Sequence, residues 1–299
     1  LATQLCFGVL QNRLLLDWRL GRVCSMRLEK LDIKVLCDLR VAAYQLLFLD
    51  KIPPSAAVNE AVELAKRHSR NPRAAGLVNG VLRALLREEA PEIRGRDEIE
   101  TLSIRYSHPR WLVEGFAQTL GLEGAEALLK ADNEQPPTAA QVNTFKTTPE
   151  KLTEELRAAG ARVQPHPWLE GCLLLTGTGD LERLEPFRRG ELYIQDPASR
   201  LAVLAAGPEP GMRVLDCCAA PGGKSFAAAL LMGDRGGLIS CDIHPHKIEL
   251  LAAGRDRLGL DIIRPTLQNA ARRREEWADG FDVVLTDVPC SGLGIVRKK

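Results

Sequence analysis

Between Val214 and Asp242 an apolar strand, a glycine turn, a helix and an acidic strand end follow one another, and no other feature constrains the chain as much. The run Val214-Leu-Asp-Cys-Cys-Ala-Ala-Pro-Gly-Gly-Lys224-Ser leaves a strand, turns on Gly222 and Gly223, and enters a helix. Ile239-Ser-Cys-Asp242 then closes a second strand on a carboxylate. Open α/β sheets hold ribonucleotides in this way, because glycines let the backbone approach a ligand and the helix N-terminus beyond them is electropositive. A carboxylate at the next strand end can accept both ribose hydroxyls. After a strand from Ile262 to Leu267, a further strand, Asp282 to Thr286, runs into Asp287-Val-Pro-Cys290-Ser-Gly. An Asp and a Cys flanking a proline at a strand end point to chemistry on a base.

Three ligands compete for the glycine turn. A dinucleotide turn would read Gly-x-Gly-x-x-Gly, and this one does not. A phosphate loop reads Gly-x-x-x-x-Gly-Lys-Ser/Thr, and Cys218-Ala-Ala-Pro-Gly-Gly-Lys-Ser225 departs from it only at the first glycine. The acidic strand end at Asp242 is foreign to phosphate loops and suits an adenosine cofactor held by its ribose. S-adenosylmethionine, with no triphosphate to neutralise, fits best; a nucleoside triphosphatase is the competing reading.

The rest of the chain is organised around this α/β region. A length of 299 residues allows two or three domains. Residues 1–133 read as an all-α bundle: Leu31 to Leu49 places apolar residues at helical spacing, Ser55 can cap a helix from Ala57 to His68, and Asn71-Pro72 opens another through Leu86. His108-Pro109 introduces a helix from Trp111 to Leu120, and Glu123 to Lys130 continues after Gly121. Gln135-Pro-Pro137 breaks the pattern, and residues 134–195 then read strand, helix, strand, helix, strand, a small α+β linker domain. It lacks the aromatic strands with which RNA-recognition sheets stack bases, so it reads as a spacer. Residues 196–299 alternate β and α, the mark of a Rossmann-like parallel sheet covered on both faces.

Composition excludes several classes. With a net charge of +1 the whole molecule is no polycation for nucleic acid, so any basic surface is local: Lys66 to Arg70 with Arg73, Arg272 to Arg274, and Arg297 to Lys299. The last cluster lies beside the Pro-Cys turn, where RNA phosphates would run. No apolar run reaches the ~18 residues of a membrane span, and no signal peptide is evident, although the chain starts at Leu1. The 8 cysteines form no Cys-x-x-Cys pair, which argues against a disulfide framework or a metal site and for reduced thiols in the cytoplasm.

The motifs Asp216-x-Cys-Ala-Ala-Pro-Gly-Gly-Lys224 and Asp287-x-Pro-Cys-Ser-Gly292 together resemble the RNA (cytosine-5) methyltransferases, specifically the bacterial 16S rRNA type (Sun/Fmu, RsmB). The resemblance extends beyond them. Ala43-Tyr-Gln-Leu-Leu-Phe-Leu-Asp-Lys-Ile-Pro, Ala57-Val-Asn-Glu-Ala-Val-Glu-Leu-Ala and Gly76-Leu-Val-Asn-Gly-Val-Leu-Arg are similar to the NusB-like helical domain of this subgroup, and Gln195-Asp-Pro-Ala-Ser199 matches its lead-in to the methyltransferase fold. Residue by residue, the resemblance implies that Cys218, Ala219, Ala220, Pro221, Gly222, Gly223 and Lys224 wrap S-adenosylmethionine. Asp242 would hold the ribose, and Asn269 stands where the family usually has an Asp beside the adenine, so weaker cofactor binding is expected there.

Cytosine C5 is a poor nucleophile, so the family adds a cysteine thiolate to C6, which makes C5 enamine-like. The resemblance gives Asp287 the N3/N4 edge of the base as well as a place in the cofactor site, and gives Cys290 a part in product release. The family's main nucleophile, a cysteine after a threonine on the following strand, would lie past Lys299; the chain as it stands is expected to hold cofactor-site residues without competent catalysis. Implied partners are 16S rRNA or a small-subunit precursor, with an unpaired loop the natural target. If the chain truly ended here, a non-catalytic RNA-binding or ribosome-assembly module would be the alternative. No membrane and no metal are expected.

Overall fold

The computed structural model describes residues 1–134, 136–288 and Gly292; Cys290 and the Arg297 to Lys299 cluster lie outside the described residues. The described residues form two compact units that divide near residue 135.

The first unit is helical: α1 (Ala2–Gln11), α2 (Arg13–Val23), α3 (Ile33–Phe48), α4 (Pro54–His68), α5 (Ala74–Arg87), α6 (Glu98–Tyr106) and α7 (Arg110–Asn133). α5 shows why these segments bury one face. Val78, Val81, Leu82 and Leu85 recur at helical spacing and are buried, while Arg83 and Arg87 on the other face point to water. They join Leu16, Leu20, Leu39 and Ala61 in one core, where each fully buried leucine contributes about 1.5–3 kcal/mol. Asp32 caps α3 by accepting from Lys34 N at 2.8 Å, and Asp97 caps α6 by accepting from Glu100 N at 2.8 Å. α4 corrects an expectation. It begins at Pro54 behind an extended Pro53, so Ser55 lies inside the first turn and is no cap; a proline tolerates the first helical position, where an N–H would be unpaired anyway. α7 runs through Gly121, whose φ of 73° and ψ of 172° kink it at the break that separates the two expected segments.

The second unit carries two sheets. The first has order β2-β3-β1-β4, all pairs antiparallel, from β1 (Thr138–Val142), α8 (Pro149–Ala158), β2 (Arg162–Pro165), β3 (Cys172–Thr176), α9 (Glu185–Arg188) and β4 (Leu192–Ile194). Thr148 accepts from Lys151 N and starts α8, whose Leu152 and Leu156 are wholly buried against the sheet with Val163, Leu173, Leu175 and Leu192. β2 is the strand that sequence reading omits. Only Val163 of its residues points inward, and Pro165 suits an edge strand.

The second sheet is parallel, in the order β7-β6-β5-β8, and combines β5 (Arg213–Asp216), β6 (Gly237–Asp242), β7 (Ile263–Leu267) and β8 (Val283–Leu285) with α10 (Pro197–Ala206), α11 (Gly223–Leu231) and α12 (Pro245–Leu258). Val203, Val214, Ala227, Met232, Leu238 and Leu258 are fully buried in its core. Among the described residues β8 lies at the edge of the sheet, and Val284 on it is 55% exposed.

The two sheets are tied by polar contacts, those of Asn143 buried. Asn143, just past β1, donates from Nδ2 to the carbonyls of Gly190 and Leu258, each at 2.9 Å. Lys146 Nζ donates to the Arg257 carbonyl at 2.7 Å, and Arg257 Nη1 donates to the carbonyls of Phe187 and Leu192 while its guanidinium lies 3.9 Å from the Phe187 ring centroid. Gly190, at φ 74°, passes so close that a Cβ there would stand 1.9 Å from the Arg257 carbonyl oxygen. The α+β platform is therefore fastened to the end of α12.

Candidate cofactor site

β5 delivers Asp216 to the C-terminal edge of the parallel sheet at its centre, where α/β sheets bind ligands. Its carboxylate has no exposed surface. Oδ2 accepts from Ser225 Oγ at 2.8 Å, and Ser225 Oγ lies 2.7 Å from Ser240 Oγ on β6, so a short polar chain crosses between the strands. Oδ1 is buried without a hydrogen-bond partner. Burial pushes the Asp216 carboxyl up to about 6, only partly offset by the Ser225 hydroxyl, the Cys218 backbone amide and the charge of Lys224.

The turn from Cys217 to Gly222 closes on itself. Ala219 N donates to the Cys241 carbonyl at 2.7 Å, and Gly222 N donates to the Ala219 carbonyl at 2.8 Å. Gly222 has φ 119°, and a Cβ there would lie 2.2 Å from the Phe226 ring, so only glycine fits. It precedes α11 without a side-chain cap, which leaves the first amides of the helix to a ligand. Cys218, Ala220, Gly223 and Lys224 are partly accessible along the turn, Pro221 is exposed, and Ala219 is buried beneath it.

Lys224 joins the turn to two distant segments. Its Nζ donates to Ser199 Oγ on α10 at 2.7 Å and to Asp287 Oδ2, just past β8, at 2.5 Å. Asp242, at the end of β6, is nearly buried; Oδ1 accepts from His244 N at 3.1 Å, and Oδ2 is 3.7 Å from Lys247 Nζ. Asn269 follows β7, which pairs with β6, and is exposed; its Oδ1 accepts from Ala271 N at 2.9 Å. One lone pair of the amide oxygen expected beside an adenine is thus used within its own turn.

Cys217 and Cys241 line a cavity of about 360 Å³ with Gln268, Arg272, Arg274 and Trp277. Burial raises the Cys217, Cys218 and Cys241 thiols, Cys241 to about 12, so none is an activated nucleophile. Ser199 and the Ser225–Ser240 pair were not legible as site residues. Only the position of Ser199 in the Gln195-Asp-Pro-Ala-Ser199 run offered a signal.

Residues 1–87 match the NusB family, residues 108–182 the ferredoxin-like domain of RsmF/B-like methyltransferases, and residues 203–299 the 16S rRNA methyltransferase RsmB/F model. A probable ribosomal RNA small subunit methyltransferase B from Bacillus subtilis (strain 168) is 38% identical over 302 residues, which cover 100% of this chain and 67% of the relative. The chain belongs to the ribosomal RNA small subunit methyltransferase B family. Another member, from Synechocystis, is 32% identical over 99% of this chain and 67% of its own length, and the Salmonella arizonae protein is 30% identical over 100% and 68%.

Among solved structures, PH0851 superposes with a TM-score of 0.76 at 25% identity, over 99% of this chain and 67% of that one. A methyltransferase homologue from Pyrococcus horikoshii has a TM-score of 0.58 at 25% identity, over 69% and 67%. The fold expected for the chain is thereby established: a NusB-type helical domain, a ferredoxin-like domain and a methyltransferase domain.

The cofactor of the family is S-adenosylmethionine, and the residues at the strand ends fit it. Asp216 keeps an unpaired buried oxygen, Asp242 offers a carboxylate at the end of β6, and the first amides of α11 carry no cap. A triphosphate would instead need Lys224 free, whereas Asp287 and Ser199 engage it.

Proposed function

We propose that the protein methylates C5 of a cytosine in 16S rRNA through a covalent cysteine–C6 adduct. The observation that carries this reading is the Lys224–Asp287 contact, which ties the cofactor turn to the start of the Asp-Val-Pro-Cys-Ser-Gly run. Cys218 to Lys224, Asp242 and Asn269 hold S-adenosylmethionine, which when bound supplies an electrophilic methyl group on a sulfonium. Lys224 orients the Asp287 carboxylate, and Asp287 both borders the cofactor and hydrogen-bonds the N3/N4 edge of the cytosine. A thiolate added at C6 makes C5 a nucleophile, and loss of the C5 proton with release of the thiol restores aromaticity. Cys290 assists that release. The attacking thiolate is none of Cys217, Cys218 and Cys241, whose burial favours the protonated thiol.

The working parts are residues 1–133 as an RNA-binding helical domain, 134–195 as a spacer, and 196–299 within the methyltransferase domain, acting in the cytoplasm on small-subunit RNA or its precursor. Among the described residues no helix is long and apolar enough to cross a membrane.

The test uses the protein expressed from its natural coding sequence, tritiated S-adenosylmethionine and undermethylated small-subunit RNA, with the RNA digested to nucleosides. Label in 5-methylcytidine is expected, and label in any other nucleoside overturns the reading. RNA carrying 5-fluorocytidine should trap the adduct, since the fluorine cannot leave as the proton does. A peptide map that puts the adduct on Cys217, Cys218 or Cys241 would refute the assignment of the thiol.

A further inference from the structure

Gln195 lies between β4 and α10, 6% exposed, and neither its Oε1 nor its Nε2 has a hydrogen-bond partner. Leaving such a group unpaired in the interior is unfavourable, because it loses its water partners and gains none. The side chain is nevertheless held in place. Gln195 N donates to the Ala139 carbonyl at 3.2 Å, and its own carbonyl accepts from Gln141 Nε2 at 3.1 Å, so the backbone is pinned to β1. Its amide faces the glycine turn: Cγ and Nε2 stand 3.4 and 3.5 Å from where a Cβ on Gly223 would be. Gly223 opens α11, whose first amides have no side-chain cap. Asp216 Oδ1, also buried and unpaired, belongs to the strand that enters the same turn.

From these positions we infer that Gln195 is a ligand-binding residue for the amino-acid end of the cofactor. The inference rests on the S-adenosylmethionine reading of the turn. A carboxamide presents one acceptor and one donor without net charge. An α-amino carboxylate presents the complement: an ammonium that donates and a carboxylate that accepts. Oε1 and Asp216 Oδ1 accept hydrogen bonds from the ammonium, while Nε2 and the open amides of α11 donate to the carboxylate. Each unpaired buried atom around the turn thereby gains a partner. The ferredoxin-like sheet acquires a role in cofactor binding, because it anchors the backbone from which Gln195 reaches.

Calorimetric titration separates the two ends of the ligand. S-adenosylhomocysteine carries the amino-acid end, and 5′-methylthioadenosine has the same nucleoside without it. Gln195→Ala should weaken S-adenosylhomocysteine by about tenfold or more and leave 5′-methylthioadenosine unchanged. Gln195→Glu, which loses the donor and adds a negative charge, should weaken it further. Unchanged affinity for both ligands overturns the inference. An equal loss for both also overturns it, since Gln195 would then shape only the turn; thermal melting of each variant shows whether the fold is intact. Wild-type protein that binds neither ligand refutes the cofactor reading itself, a result distinct from either outcome for Gln195.

Discussion

Replacing Asp216 by Asn tests whether the carboxylate at the centre of the parallel sheet carries the electrostatic cost its burial implies. The side chain has no exposed surface, and burial moves its carboxyl from 3.8 to about 6. A raised carboxyl pKa means that the folded state prefers the protonated form. The stability it contributes is complete below about pH 4 and is lost as pH rises through about 6. A shift of roughly 2 units at 1.36 kcal/mol per unit corresponds to about 3 kcal/mol over that window. The Asn side chain keeps the shape, can accept from Ser225 through its oxygen, and stays neutral throughout.

The stability difference between D216N and wild type should therefore grow by about 3 kcal/mol between pH 4 and pH 7, in favour of the variant. Hydrogen exchange of the β5 and β6 amides reads this locally, which matters in a chain of several domains whose global unfolding need not be two-state. A difference that stays flat across this range would refute the reasoning. Saturating S-adenosylhomocysteine should shrink the difference, because an ammonium paired with Oδ1 favours the ionised carboxylate.

Two further substitutions probe the frame around the site. Asn143→Ala removes the donor shared by the Gly190 and Leu258 carbonyls and should lower the urea-denaturation free energy by roughly 2 kcal/mol or more; loss within error would mean that water replaces the amide. Gly222→Ala forces a Cβ against the Phe226 ring at positive φ, and should cost more than about 1 kcal/mol in the same assay and abolish calorimetric binding of S-adenosylhomocysteine. Retained binding would show that the turn can relax.

Much of the site was legible because its signals are local. Gly222 had to be glycine in a turn between a strand and a helix, and Asp242 stood where an apolar strand ends. The long helices α3 and α5 announced themselves by apolar spacing. β2 was missed because one inward valine in four residues gives alternation too little to register, and the start of α4 because Pro54 can open a helix as readily as end one.

Amino-acid order by itself determined which residues are at strand ends and which segment forms the nucleotide turn, since backbone preference and hydrophobic period act over a few residues. Tertiary structure alone decided which of those residues meet. Lys224 and Asp287 are 63 positions apart, and Asn143 and Leu258 are 115 apart. The first pair meets because the order β7-β6-β5-β8 sets the end of β8 beside the turn that leaves β5. The second meets because the antiparallel sheet packs on the end of α12. The unpaired amide of Gln195 belongs to the same class: burial and the absence of a partner are properties of packing, and no local pattern of residues encodes them.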